Sequence, residues 1–235
     1  MKPVVKVKDL VQKSRKKVLL SNLNVEIHRG ELFGLFGPRG AGKTALLHIL
    51  AGVDRFSAGI VEILGHDIRR SEKFKKKVGL VTQRPSLFAD MNVAENLDYI
   101  ATLKNCGRAS VLDLTRRFEL ENILNEPVQY LKPGPYQRLA VACALLNDPE
   151  LLIADELNNC LEPFSTDVIN RELSGFLAGG GTCVWAFNNI GLCARMSRIG
   201  WLEEGQLSLY QPEEARRVWD NRYQAASVPP GDGHA

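Results

Sequence analysis

Short apolar runs separated by polar and glycine-bearing turns dominate the first third of the chain. They read as strands at Val4 to Leu10, Leu19 to Ile27 and Leu32 to Phe36, with Gly30 turning between the last two. Further strand signals at Gly59 to Leu64 and Val78 to Val81 bracket His66-Asp67-Ile68, which reads as a loop. At Asn92 the period lengthens. Asn92 and Glu95 have the spacing of a capping box, and Val93, Leu97 and Ile100 follow at helical intervals. Helical character continues with breaks to about Leu124. Buried strand signals return at Leu151 to Ala154, Thr182 to Phe187 and Ile199 to Glu203, and Glu213 to Tyr223 reads as a terminal helix. The pattern predicts an α/β core interrupted by a helical insertion. No internal repeat is present.

The turn after Phe36 carries the most specific chemistry. Gly37-Pro38-Arg39-Gly40-Ala41-Gly42-Lys43-Thr44 matches G-x-x-x-x-G-K-[ST] and lies between a strand and the helical run Ala45 to Leu50, the context that gives the pattern meaning. Glycines let the backbone curl with its N–H groups inward as a nest for phosphate oxygens, and the helix adds its positive end. Lys43 is placed to reach the β- and γ-phosphates of a nucleoside triphosphate, and the Thr44 hydroxyl to ligate Mg²⁺.

A second apolar strand, Leu151-Leu152-Ile153-Ala154, ends in Asp155-Glu156. Behind a phosphate loop, such a strand is expected beside the one feeding the loop, its Asp in the Mg²⁺ shell and its Glu polarising the attacking water. Gln83, after Val78 to Thr82, is the candidate to sense the metal and the γ-phosphate.

Composition narrows the class. The chain has 235 residues with 45% hydrophobic content, enough for one large α/β domain, and no apolar stretch near the roughly 20 residues of a membrane span. The amino terminus has no secretory pattern, which predicts a cytosolic chain unless a partner holds it at a membrane. Five scattered cysteines without a C-x-x-C pair predict reduced thiols and no zinc site. A net charge of +3 points to no nucleic-acid partner. The basic clusters Lys13/Arg15/Lys16/Lys17 and Lys73/Lys75/Lys76/Lys77 read as a solvated hairpin and a surface turn.

Taken in order, the phosphate loop, the strand-ending Gln83, the helical insertion, a Leu-x-x-Gly-x-x-Gln-Arg-Leu-Ala stretch from Leu131, and the Asp155-Glu156 strand resemble the ATP-binding subunit of an ABC transporter, from about residue 4 to 212. The Gln83 to Phe88 segment and Asn92 to Leu97 resemble the exporter branch in particular. The resemblance implies an α/β fold, with a P-loop NTPase core, an antiparallel β subdomain and an inserted helical subdomain. It implies a cassette over residues 1–225, with its helical insertion at about 84–146, while the Pro/Gly/polar composition of residues 226–235 predicts a disordered tail. It also implies ATP and Mg²⁺ as ligands, the metal held by Thr44, Gln83 and Asp155, and catalysis by Glu156, Gln83 and Asn188. The partners it implies are a transmembrane permease and a second ATP-binding subunit, on the cytoplasmic side of a membrane. In the family, two subunits sandwich two ATP molecules, each site combining one phosphate loop with the partner's signature loop.

Several positions depart from the family pattern. Where the signature core is Leu-Ser-Gly-Gly-Gln, this chain has Leu131-Lys132-Pro133-Gly134-Pro135, and Pro133 removes a backbone donor. The switch histidine is Asn188, the following aspartate is Glu162, and Leu157 replaces a proline after Glu156. Ser14 stands where an aromatic residue stacks on adenine, with Arg15 beside it as a possible substitute, and Arg39 stands where Asn is common. With the phosphate loop intact, these changes predict a heterodimer with unequal sites. A slow homodimer, a subunit that hydrolyses normally through Glu156, a regulatory ATP-binding subunit and a non-transport ATP switch stay open. Leu87, Phe88 and Met91 read equally as core or as a docking groove for the permease.

Overall fold

The computed structural model describes residues 2–14, 17–83, 86–157 and 161–223. Two sheets organise them. One is antiparallel, in the order β2-β1-β4-β5, from β1 (Val5–Ser14), β2 (Lys17–Ile27), β4 (Ala58–Ile63) and β5 (His66–Asp67). The other runs β10-β9-β3-β8-β7-β6, from β3 (Leu32–Phe36), β6 (Val78–Val81), β7 (Leu151–Asp155), β8 (Thr182–Phe187), β9 (Arg198–Glu203) and β10 (Gln206–Tyr210). Its β9-β3-β8-β7-β6 stretch is parallel, and β10 pairs antiparallel at one edge.

The continuous apolar runs of β3, β7 and β8 follow from burial on both faces. In β8, Cys183, Trp185 and Phe187 pack into one hydrophobic cluster with the helices, whereas Val184 and Ala186 point to the other, against the antiparallel sheet. Leu152 and Ala154 against Leu151 and Ile153 repeat the division in β7. Helix α1 (Lys43–Leu50) packs between the sheets, while α2 (Val93–Leu103), α3 (Arg108–Arg117), α4 (Pro133–Leu145), α5 (Pro163–Ala178) and α6 (Pro212–Tyr223) contribute to the first cluster.

The capping box forms: Asn92 N–H donates to Glu95 Oε2 at 2.8 Å, and Glu95 N–H donates to Asn92 Oδ1 at 2.8 Å. Such a cap is worth about 1 kcal/mol. Other expectations need correction. His66 and Asp67 form a short strand on β4 because Glu62 and Ile63 offer a paired edge, a contact with no local signal. The Asp155 strand does not lie beside β3. β8 pairs with both and separates them. Helix α5 and strand β10 complete the core and its edge without having been read from the pattern.

The Lys73 to Lys77 cluster is an exposed turn of 3-10 helix anchored by buried Phe74. In the other cluster, Lys13 and Lys17 lie on the paired ends of β1 and β2. Arg15 and Lys16 fall outside the described residues, as do Cys160 and the 226–235 tail. The four described cysteines are unpaired, and burial pushes the Cys143 thiol up to about 12.

Candidate nucleotide site

The carboxyl ends of parallel strands β3, β8, β7 and β6 lie side by side, and the candidate residues follow them. This is the edge where open α/β sheets bind ligands. After β3, residues 37–42 turn into α1. Gly42, at φ +105°, caps that helix in a backbone conformation that side chains resist. At Gly37 the constraint is space, since a Cβ there would meet the Leu202 carbonyl oxygen at 2.1 Å. Pro38, Arg39 and Gly40 form the exposed rim of the loop, and Ala41 N–H closes it onto the Pro38 carbonyl at 3.3 Å.

Lys43 is 7% exposed and donates from Nζ to the carbonyls of Gly37 at 2.7 Å and Pro38 at 2.9 Å. Its ammonium therefore sits inside the curl of the loop. Burial lowers its pKa, opposed by the Glu156 and Asp155 carboxylates.

Although β8 intervenes, α1 brings its first turn to the end of β7. Thr44 donates its hydroxyl to Asp155 Oδ2 at 2.6 Å. Asp155 is 5% exposed, and burial raises its pKa, with the Glu156 charge adding to the rise and Thr44 and Lys43 opposing it. One hydroxyl and one carboxylate, both hard oxygen donors, suit Mg²⁺, which keeps most of its shell for water and phosphate. Gln83, at the end of β6, belongs to the same edge.

Glu156 adopts φ +56°, uncommon for a residue with a side chain. Its N–H donates to Ala186 O at 2.9 Å, pinning the turn to β8. Its carboxylate is gripped from both sides: Gln83 Nε2 donates to Oε2 at 2.9 Å, and Asn188 Nδ2 donates to Oε1 at 3.3 Å. Two neutral donors, one on each oxygen, fix the direction of this carboxylate.

The departing signature borders this cluster: Leu131 and Pro133 line one cavity together with Gln83, Asp155 and Glu156. Lys132 and Pro133 are exposed at the start of α4, Pro133 occupies its first turn, and Gly134 is buried. The Glu162 carboxylate lies so close to Gly134 that a Cβ there would meet its oxygens at 2.0 and 2.2 Å. Ser165 donates its hydroxyl to Glu162 and holds that carboxyl below its ordinary range. Arg138, buried on α4, donates to Ser165 Oγ at 3.0 Å and to the carbonyls of Phe118 and Glu119 at 2.8 and 2.6 Å. Nothing local in the sequence assigned Arg138 or Ser165 these partners. Asn96 was legible in principle, as an amide on the apolar face of α2. It is fully buried and bonds the backbone of Phe88 through both its oxygen and its nitrogen. The adenine-stacking expectation at Ser14 and Arg15 involves side chains outside the described residues.

The fold and this edge define a P-loop nucleotide-hydrolase core with a helical layer and an antiparallel sheet attached. Residues 20–159 match the model of the ABC transporter family, and the chain belongs to that family. It carries an ABC-type ATPase domain, the ATP-binding component of transporters. The lantibiotic transport ATP-binding protein SrtF of Streptococcus pyogenes is 28% identical over 207 residues, covering 88% of this chain and 90% of that protein. Nod factor export ATP-binding protein I of Paraburkholderia xenovorans is 35% identical over 205 residues, 84% of this chain and 67% of that one. Among solved structures, a dimeric ATP-binding cassette in a post-hydrolysis state with ADP and Pi superposes with a TM-score of 0.81 at 26% identity, covering 88% of this chain and 98% of that one. Among the described residues, no helix is long and apolar enough to cross a membrane.

Proposed function

We propose that this chain is the ATP-binding subunit of a membrane exporter, bound at the cytoplasmic face through a transmembrane permease, and that residues 1–225 form one cassette with a helical insertion at about 84–146. The observation that carries the reading is the pairing of Thr44 with Asp155 beside a Glu156 held by two amides. The N–H groups of residues 39–44 and the Lys43 ammonium bind and orient the triphosphate. Thr44, Asp155 and Gln83 would hold Mg²⁺, which would supply charge neutralisation at the phosphates. Glu156 accepts a proton from the attacking water, aimed by Gln83 and Asn188. Export as the direction draws support from the similarity to Nod factor export ATP-binding protein I.

The second ATP-binding subunit is a different chain in this reading. The phosphate loop retains its lysine and glycines, whereas the face that would meet a partner's nucleotide offers Lys132, Pro133 and a carboxylate against Gly134. A copy of this chain would carry that defect in both composite sites, and an intact partner would confine it to one.

The test is steady-state ATP hydrolysis by the complex co-purified in detergent, with and without Lys43→Ala in this chain. Loss of most turnover makes this phosphate loop the motor. Turnover that survives in an assembled complex overturns that role.

A further inference from the structure

Beyond the residues that face the nucleotide, the segment after Gln83 is held by a side chain that belongs to neither the phosphate loop nor the acidic strand. The phenol oxygen of Tyr136, on the first turn of α4, accepts two consecutive backbone N–H groups, from Ser86 at 2.8 Å and Leu87 at 3.2 Å. One hydroxyl oxygen has two lone pairs, and both are engaged. Immediately beyond, Asn96 clasps the chain from α2: Phe88 N–H donates to Asn96 Oδ1 at 2.9 Å, while Asn96 Nδ2 donates to Phe88 O at 3.0 Å and Asn92 O at 3.0 Å. The stretch from Ser86 to Asn92 is thus tied to two helices at once. Gln83, three residues upstream of Ser86, gives its amide to Glu156.

We propose that Tyr136 is a positioning residue of the hydrolytic site, its phenol fixing Ser86 and Leu87 to α4 and so setting where the Gln83 amide, three positions upstream of Ser86, meets Glu156. The proposal rests on the reading of Gln83 and Glu156 given under Proposed function. Its physical basis is short reach and stiffness. Tyrosine has two side-chain torsions, so a bond at the ring tip orders the chain at small entropic cost. Tyr136 follows Pro133, where α4 begins, by three positions, so a displacement of that helix start is passed through the phenol to Ser86 and Leu87. The ordinary role for a tyrosine here is packing alone, and Tyr136→Phe distinguishes the two because the ring stays and only the acceptor is lost.

The experiment compares Tyr136→Phe with the parent in the detergent-purified complex, by backbone hydrogen exchange and by hydrolysis. Exchange over residues 86–92 should speed by about five- to tenfold, the effect of one or two lost hydrogen bonds on a local opening. Turnover number should fall by about fivefold with KM for ATP unchanged, since an interaction that orients the base acts after binding. In a Gln83→Ala background the same substitution should cost nothing further, because the path it acts through is gone. Unaltered exchange, unaltered turnover, or an equal drop in the Gln83→Ala background would each overturn the proposal. Lys43→Ala in the same preparation separates the two readings. Turnover insensitive to Lys43→Ala sinks the functional reading of the site. Turnover sensitive to Lys43→Ala and insensitive to Tyr136→Phe sinks only the positioning role.

Discussion

Thr44 and Asp155, 111 residues apart in sequence, meet through a 2.6 Å hydrogen bond at the carboxyl edge of the parallel sheet. The contact crosses a strand, since β8 lies between the strands that end near each residue. Helix α1 makes the crossing possible by starting at the exit of β3 and running over the neighbouring strands. The candidate metal donors are therefore positioned by a helix start and a strand end.

The Asp155 carboxylate is held in the buried end of this arrangement at a cost. Burial raises its pKa, so the folded chain binds that proton more tightly than the unfolded chain. Its contribution to stability is full below the unfolded carboxylate pKa and is lost as pH rises through the raised folded value. Asp155→Asn is expected to raise the melting temperature of the nucleotide-free chain at pH 7, by about 2–4 °C for ~1 kcal/mol in a domain of this size. The gain should shrink below pH 4, and Mg²⁺-dependent ATP binding should be lost at every pH. Calorimetry across pH checks the first part, and a lowered melting temperature at pH 7 would refute the burial argument.

Asn188 donates to Glu156 as a neutral amide, so its part in hydrolysis is independent of pH over the range where histidine titrates. Asn188→His should add a pH-dependent limb centred near about 6.5, the ordinary imidazole value. Rate profiles of the two proteins between pH 5.5 and 8.5 (about one unit beyond the imidazole midpoint and more) report it. Superimposable profiles would mean that position 188 does not reach the reacting atoms.

Gly37 is constrained sterically by the Leu202 carbonyl. Gly37→Ala forces the ends of β3 and β9 apart, because the new methyl would lie 2.1 Å from that oxygen. A stability loss of about 2 kcal/mol is expected, in the range of severe overpacking, together with weakened ATP binding. Denaturant unfolding measures it, and a loss below about 0.5 kcal/mol, the scale of ordinary surface changes, would show that the strand ends yield freely.

The signature face offers a gain-of-function test. Replacing Lys132 by Ser and Pro133 by Gly restores a hydroxyl and a backbone N–H at the start of α4. If the altered signature limits a composite site, hydrolysis by the complex should rise by about tenfold, since one donor to a developing oxyanion is worth at least that much. An unchanged rate would locate the limitation elsewhere, with Glu162 against Gly134 the next residue to shorten.

Several elements were fully legible because their signals are local. The loop Gly37 to Thr44, the Asn92–Glu95 cap, and the strands at Leu32 to Phe36 and Thr182 to Phe187 each depend on neighbours within a few residues. Two elements left weaker traces. The two-residue β5 takes its conformation from the edge of β4, and β10 from the edge of β9, so pairing, not propensity, decides them. Helix α5 opens with Pro163, a helix-start signal, but no side-chain cap reinforces it.

The sequence by itself determined the phosphate loop, the acidic strand end and the alternation of strand and helix, because glycine geometry, charge and periodicity act over short separations. Only the tertiary structure decided which strand stands between β3 and β7, that Gln83 and Asn188 converge on opposite oxygens of Glu156, and that Tyr136 and Asn96 bind the chain in front of them. These relationships depend on sheet order and helix packing. A polar side chain in a sequence declares what it can bond, and the fold alone brings the partner within hydrogen-bonding distance.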